Sequence, residues 1–323
     1  MSKQWSSVVR KKAARMVIDS ETHVIERLMP IETNPEMSPT RRFTWHPHSG
    51  DLLVAEMDRA GVDKVIMISY DADDVHHWLR SVGKRAEDFR GGKKYTLLYV
   101  RKYPDRLLWF TTLADPLRHP DYLDIMRSDL DEGALGIKVF PAHCLIAADD
   151  PRLMAAYRVC AERGGKIMIA LEDRDPPRTP LLREYHEQLD RVFSTFPDAH
   201  FQINHGGNVD PNSAEAEYFY STVRAHGNVW VSTGPVEENG PDDTGLDWRD
   251  GHEYPFRHYL SCIEKLLRGF GPDRLEWATD WPWMEHFFSY PQAVDSILKH
   301  ADFMTELEKA NFMGLNAARF LGL

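Results

Sequence analysis

Cysteine is scarce in this chain: Cys144, Cys160 and Cys262 are the only three among 323 residues. That density and spacing exclude a disulfide scaffold and a cysteine zinc knot. Cys160 falls in an amphipathic helical pattern and reads as core, whereas Cys144 lies just beyond a strand end. Long apolar runs are missing too. Residues 1–15 lack the continuous apolar stretch that secretion requires, and no membrane segment is evident. They read as a mobile or interface arm, and the default setting is reducing and cytoplasmic. Positive charge is in deficit, with 39 Lys and Arg against 50 Asp and Glu, a formal charge of −11. Nucleic acid is therefore a poor main partner, although a cleft can still be locally positive for a small acidic substrate. Neither an internal repeat nor a second domain is visible.

What the chain does have is apolar runs of strand length. They recur at Met16–Ile18, Lys64–Ser69, Leu107–Leu113, Leu135–Phe140, Lys166–Leu171, His200–Asn204, Val229–Thr233 and Leu275–Thr279. Helical patterns separate many of them. Leu52–Ala60 stops at Gly61, and Pro151–Arg163 follows the start signal Asp149–Asp150 and stops at Gly164–Gly165. Pro180–Phe196 ends at Pro197, and Phe256–Arg268 at Gly269. Such alternation favours parallel strands joined by crossover helices, and eight units in this length predict an α/β fold, a (β/α)8 barrel. Residues 1–15 stand apart as an arm. Residues 16–323 form one barrel domain with insertions at about 26–48 and 234–255, both projecting on the face where a barrel does its chemistry.

Strands buried on both faces are normally apolar throughout, yet charged and imidazole groups stand at the ends of these runs. Glu21 and His23 follow the first, Lys138 lies in the fourth, Glu172 follows the fifth, His205 the sixth and Asp280 the eighth. In a barrel those ends converge on one face, where a cation could hold them together. Glu21-x-His23 has the period of two that places both side chains on one side of an extended segment, half of a divalent-metal site. A salt-bridged strand end is the other reading. Asp19 and Glu26 flank the pair and could orient His23 or satisfy loop amides. Lys138 needs a partner, because an unpaired ammonium in a core strand costs several kcal/mol. It could neutralise Glu172, bind a substrate carboxylate, or be carbamylated to bridge two metals. His143 could reach substrate from the fourth loop or face solvent. Arg41 and Arg42 offer guanidinium forks to a carboxylate. Trp281 and Trp283 could wall a pocket for a flat substrate, although aromatic residues are also ordinary core.

Four segments, Ile18–His23, Gly136–Val139, Asn204–Gly207 and Ala278–Pro282, resemble in order the motifs of the amidohydrolase superfamily. The likeness is strongest to its branch of metal-dependent decarboxylases and related hydrolases. It implies a distorted (β/α)8 TIM barrel, one divalent metal ion and a homodimer or homotetramer. Glu21 and His23 resemble the first-strand ligands. Asp280 resembles the eighth-strand aspartate that binds metal or manages a proton, and His205 the sixth-strand histidine that contacts substrate or acts as an acid. A helix cap and a buried histidine are the plainer alternatives. One departure stands out: the fifth strand ends Ala170–Leu171–Glu172–Asp173, where the family commonly carries a metal-binding histidine. With Glu172 in that place the ligands are Glu21, His23, Glu172 and Asp280. Three carboxylates with one imidazole turn the preference from zinc toward manganese or magnesium. The implied activity is non-oxidative decarboxylation of an aromatic or unsaturated carboxylic acid, with Asp280 or His205 protonating the ring carbon. Its competitor is hydrolysis of an ester, lactone or amide by an activated water. The expected partner is a small carboxylic acid or carbonyl compound, neither nucleic acid nor membrane.

Overall fold

The computed structural model describes residues 16–28, 47–69, 71, 89–171, 182–234, 236 and 251–323. The arm 1–15, most of both insertions, Arg41, Arg42 and Glu172 lie outside the described residues. Eight parallel strands form one sheet in chain order. They are β1 Ile18–Thr22, β2 Lys64–Ser69, β3 Leu107–Thr112, β4 Gly136–Val139, β5 Lys166–Ile169, β6 Phe201–Ile203, β7 Val229–Ser232 and β8 Leu275–Glu276. Helices α1 Gly50–Ala60, α2 Lys93–Lys102, α3 Tyr122–Glu132, α4 Pro151–Glu162, α5 Leu182–Thr195, α6 Ala214–Ala225 and α7 Arg257–Phe270 connect successive strands, and α8 Tyr290–His300 follows the last. This is the distorted (β/α)8 barrel.

Its helices begin and end where capping chemistry allows. Ser49 accepts from the Leu52 amide at 3.2 Å, and Asp150 accepts from the Arg152 amide at 2.9 Å with Pro151 in the first turn. Gly61 closes α1 at φ 75°, a conformation that a side chain would strain. The core lies between sheet and helices, with Leu53, Leu153, Ile167, Phe193, Phe201 and Val229 fully buried. No helix among the described residues is long and apolar enough to cross a membrane.

The distortion sits at the seam. The first strand begins later than the Met16–Ile18 run and contains Glu21, with a register irregularity between Asp19 and Thr22. The eighth apolar run yields only two residues of regular strand. Beyond Glu276 the backbone turns to β1 instead: Ser20 N donates to Trp277 O at 3.1 Å, Asp280 N to Glu21 O at 2.9 Å, and His23 N to Trp281 O at 2.7 Å. These bonds close the barrel and carry Asp280 to Glu21.

A buried histidine on the outer helices gives one testable consequence. His186 of α5 is 1% exposed and stacks on Tyr218 and Phe219 of α6, and its Nδ1 has no hydrogen-bond partner among the described residues. Burial pulls its pKa from 6.5 down to about 4. The unfolded chain then takes the proton first, so stability is lost as pH falls from 6.5 toward 4, by at most about 3 kcal/mol. His186→Phe should melt with a flatter pH dependence than the parent across that window. Parallel curves would show that His186 contributes nothing to acid lability.

Candidate active site

β1 places Glu21 in its ladder and His23 just beyond it, and the seam brings Asp280 to the same face; their ligand atoms all lie within 4.8 Å of one another. His23 Nδ1 is 3.1 Å from the Ile68 carbonyl, and its Nε2 is 2.9 Å from Asp280 Oδ1. A carbonyl can only accept, so Nδ1 carries the hydrogen and Nε2 faces the carboxylate. A neutral imidazole would then set a lone pair against an ionised oxygen. The gap calls for a cation, either a proton or a metal ion. The donor set suits a divalent metal, with two carboxylates, one imidazole and a carbonyl behind the imidazole to fix its tautomer.

Glu21 is fully buried and engaged at both oxygens. Lys138 of β4 and His205 Nε2, the latter at 3.2 Å, meet Oε1. Asn204 Nδ2 at 2.7 Å and Ser232 Oγ at 3.4 Å donate to Oε2. Burial alone would raise the Glu21 pKa; the Lys138 ammonium, then His205 and His23, hold it well below the usual carboxylate range. Burial likewise opposes charge on His205, but Glu21 and then Asp280 override it and lift the pKa to about 9. Its Nε2 also lies 3.7 Å from Asp280 Oδ2.

Backbone geometry marks the same two residues. His205 and Asp280 both hold left-handed conformations, at φ 55° and 53°. Strained backbone of this kind persists where surroundings over-determine it, and functional sites are where it concentrates. Gly234 helps to set His205, for a Cβ there would stand 2.6 Å from its Cδ2. Gly207 follows at φ 74°, where an added Cβ would stand 2.1 Å from Phe219 Cε1. There it serves packing.

Other described residues singled out from sequence have partners of their own. Phe140 joins two of them, with the Lys138 ammonium 4.8 Å from its ring centroid and buried His143 stacked on it at 4.7 Å. Trp281 is fully buried and donates its indole N–H to Glu285 at 2.9 Å, and Glu285 also meets His48 at 2.8 Å. Trp283 is half-buried. Asp19 satisfies amides, accepting from Glu21 N and Thr279 N and from the Tyr290 hydroxyl at 2.7 Å; burial outweighs these bonds and raises its pKa to about 7. Glu26 instead accepts from Tyr99 at 2.7 Å. Sequence reasoning missed Asn204 and Ser232 as partners of Glu21, and behind them Gln202 and Glu276.

The Amidohydrolase family matches residues 18–323, nearly the whole chain. The chain belongs to the amidohydrolase family. It is accordingly a metalloenzyme of that superfamily in the general sense. No curated protein matches it. Among solved structures it is similar to a probable 2-pyrone-4,6-dicarboxylic acid hydrolase from Acinetobacter baumannii with citric acid bound, at 14% identity and TM-score 0.62, covering 95% of this chain and 99% of that one. An amidohydrolase from Burkholderia multivorans with bound zinc aligns at 16% identity and TM-score 0.63, with the same coverage. The 5-carboxyvanillate decarboxylase of Novosphingobium aromaticivorans, complexed with manganese and 4-hydroxy-3-methoxy-5-nitrobenzoic acid, aligns at 17% identity and TM-score 0.60, covering 97% of each chain. These likenesses concern the fold.

Proposed function

We propose that the protein is a metal-dependent decarboxylase of an aromatic or unsaturated carboxylic acid. The observation that carries this reading is the placement of His205 Nε2 between two carboxylates, 3.2 Å from Glu21 Oε1 and 3.7 Å from Asp280 Oδ2. Decarboxylation without an oxidant exchanges a carboxylate for a proton at the same carbon, so it needs a group holding a proton at neutral pH. His205, whose pKa the neighbouring carboxylates raise, is the candidate for that group, and Asp280 can pass or receive the proton. Glu21, His23 and Asp280 would hold a divalent ion, manganese or zinc, whose chemistry is to bind and polarise substrate oxygens. Glu172 remains a candidate fourth ligand. Lys138, His143, Arg41, Trp281 and Trp283 are the candidates to receive the acid's carboxylate and ring. The names of the Acinetobacter and Novosphingobium proteins both denote carboxylated substrates, which supports a small carboxylic acid here.

A second reading is hydrolysis of an ester, lactone or amide. It is favoured by the 2.9 Å pairing of Asp280 with His23, which keeps the carboxylate positioned to take a proton from water. Paired substrates separate the two. The manganese-loaded enzyme should release carbon dioxide from hydroxylated aromatic acids and leave matching lactones and esters intact. Acid formation from the latter, without carbon dioxide from the former, would replace the first reading with the second.

A further inference from the structure

Beneath the carboxylates at the mouth lies a buried polar chain that the reaction itself does not use. Glu276 of β8, Gln202 of β6, Asn204 and Ser232 are all fully buried. Gln202 Nε2 donates to Glu276 Oε2, across the barrel interior and past the intervening strand β7. Alternate strands share one interior layer in such a barrel, which is how these two meet. Asn204 Nδ2 donates to Gln202 Oε1 at 3.2 Å and to Glu21 Oε2 at 2.7 Å. Each link fixes the direction of the next. Glu21, held ionised beside Lys138, can only accept, so Asn204 must turn its amide nitrogen to it. That nitrogen also meets Gln202 Oε1, which leaves the Gln202 nitrogen for Glu276 Oε2. Reversing any one amide would set two oxygens, or two N–H groups, against each other in a buried site, where an unmade bond is costly.

We propose that Glu276 is a positioning residue for Glu21, acting through Gln202 and Asn204. The relay anchors Oε2 and so leaves Oε1 on the side of His23, 4.0 Å from its Nε2. Burial raises Glu276 to about pH 8, but the relay needs only its acceptor oxygen, which a neutral acid retains. The inference rests on the reading of Glu21 as a metal ligand.

The test measures manganese affinity by calorimetry, together with melting temperature, in the full-length protein. Glu276→Met keeps the volume and removes the acceptor; Glu276→Gln keeps an acceptor oxygen for Gln202. The manganese dissociation constant should rise about tenfold in Glu276→Met and in Gln202→Met, and stay within about twofold of the parent in Glu276→Gln. The double variant Glu276→Met with Gln202→Met should bind as Gln202→Met alone does, and melt above it, because both partners of one buried bond are then gone. Unchanged affinity in Glu276→Met, equal losses in Glu276→Gln and Glu276→Met, or additive losses in the double variant would each overturn the relay. A parent protein that binds neither manganese nor zinc would overturn the metal reading instead. The melting temperatures, which need no metal, then decide the relay: a double variant no more stable than Gln202→Met sinks it.

Discussion

Asp280→Asn should fold like the parent and lose about 10²–10⁴-fold in turnover, the range associated with losing a positioned proton-transfer group. Two features make this substitution clean. Asp280 sits at φ 53°, a region that asparagine enters more readily than most residues, so the backbone need not move. Its amide still donates to the Glu21 carbonyl at 2.9 Å, which preserves the seam between first and last strands. What changes is the head group. A carboxylate that can bind a cation beside His23 and exchange a proton near His205 becomes a neutral amide. Alanine would remove the same charge but also place a residue poorly suited to a left-handed backbone there, mixing strain with chemistry. Turnover is to be measured alongside manganese content and melting temperature. Near-normal turnover with an intact fold would reject Asp280 as the proton-handling group.

How much of this could be read from residues alone follows from where the determining forces lie. Glu21, His23, Lys138, His205 and Asp280 were legible because a charged or imidazole group at the end of an apolar run conflicts with burial on both faces. The same conflict marks Gln202 in Phe201–Ile203 and Glu276 in Leu275–Glu276, but an amide or a carboxylate in a short strand reads equally well as a side chain facing water. Only the barrel's curvature, which brings alternate strands together, shows that they face each other. The seam was illegible for a related reason. Whether Trp277 and Trp281 continue a ladder depends on Ser20 and His23, about 257 positions away, and not on their own neighbours. Lys138 needed a partner on energetic grounds, and Glu172 was the nearby choice in sequence. The structure supplies Glu21, 117 positions earlier.

That pairing leads to the other large effect, on stability. Lys138 is 1% exposed and Glu21 fully buried, so neither charge can turn to water if the other is removed. Breaking a buried pair on one side typically costs about 3–5 kcal/mol. Lys138→Met keeps an unbranched apolar side chain and removes the ammonium that lies over the Phe140 ring, leaving Glu21 with His205, Asn204 and Ser232. The metal-free variant should therefore melt roughly 5 °C below the parent. A divalent ion beside Glu21 would supply the missing positive charge. Manganese should accordingly raise the melting temperature of Lys138→Met more than that of the parent, since a ligand that binds only the folded state stabilises it according to its affinity. Thermal melts of both proteins with and without manganese make the comparison. A lysine carbamylated to bridge two metals gives the opposite sign, because its removal would abolish the manganese response. A smaller response in the variant would therefore reject Lys138 as the counter-ion of Glu21 and return it to the metal's own ligands.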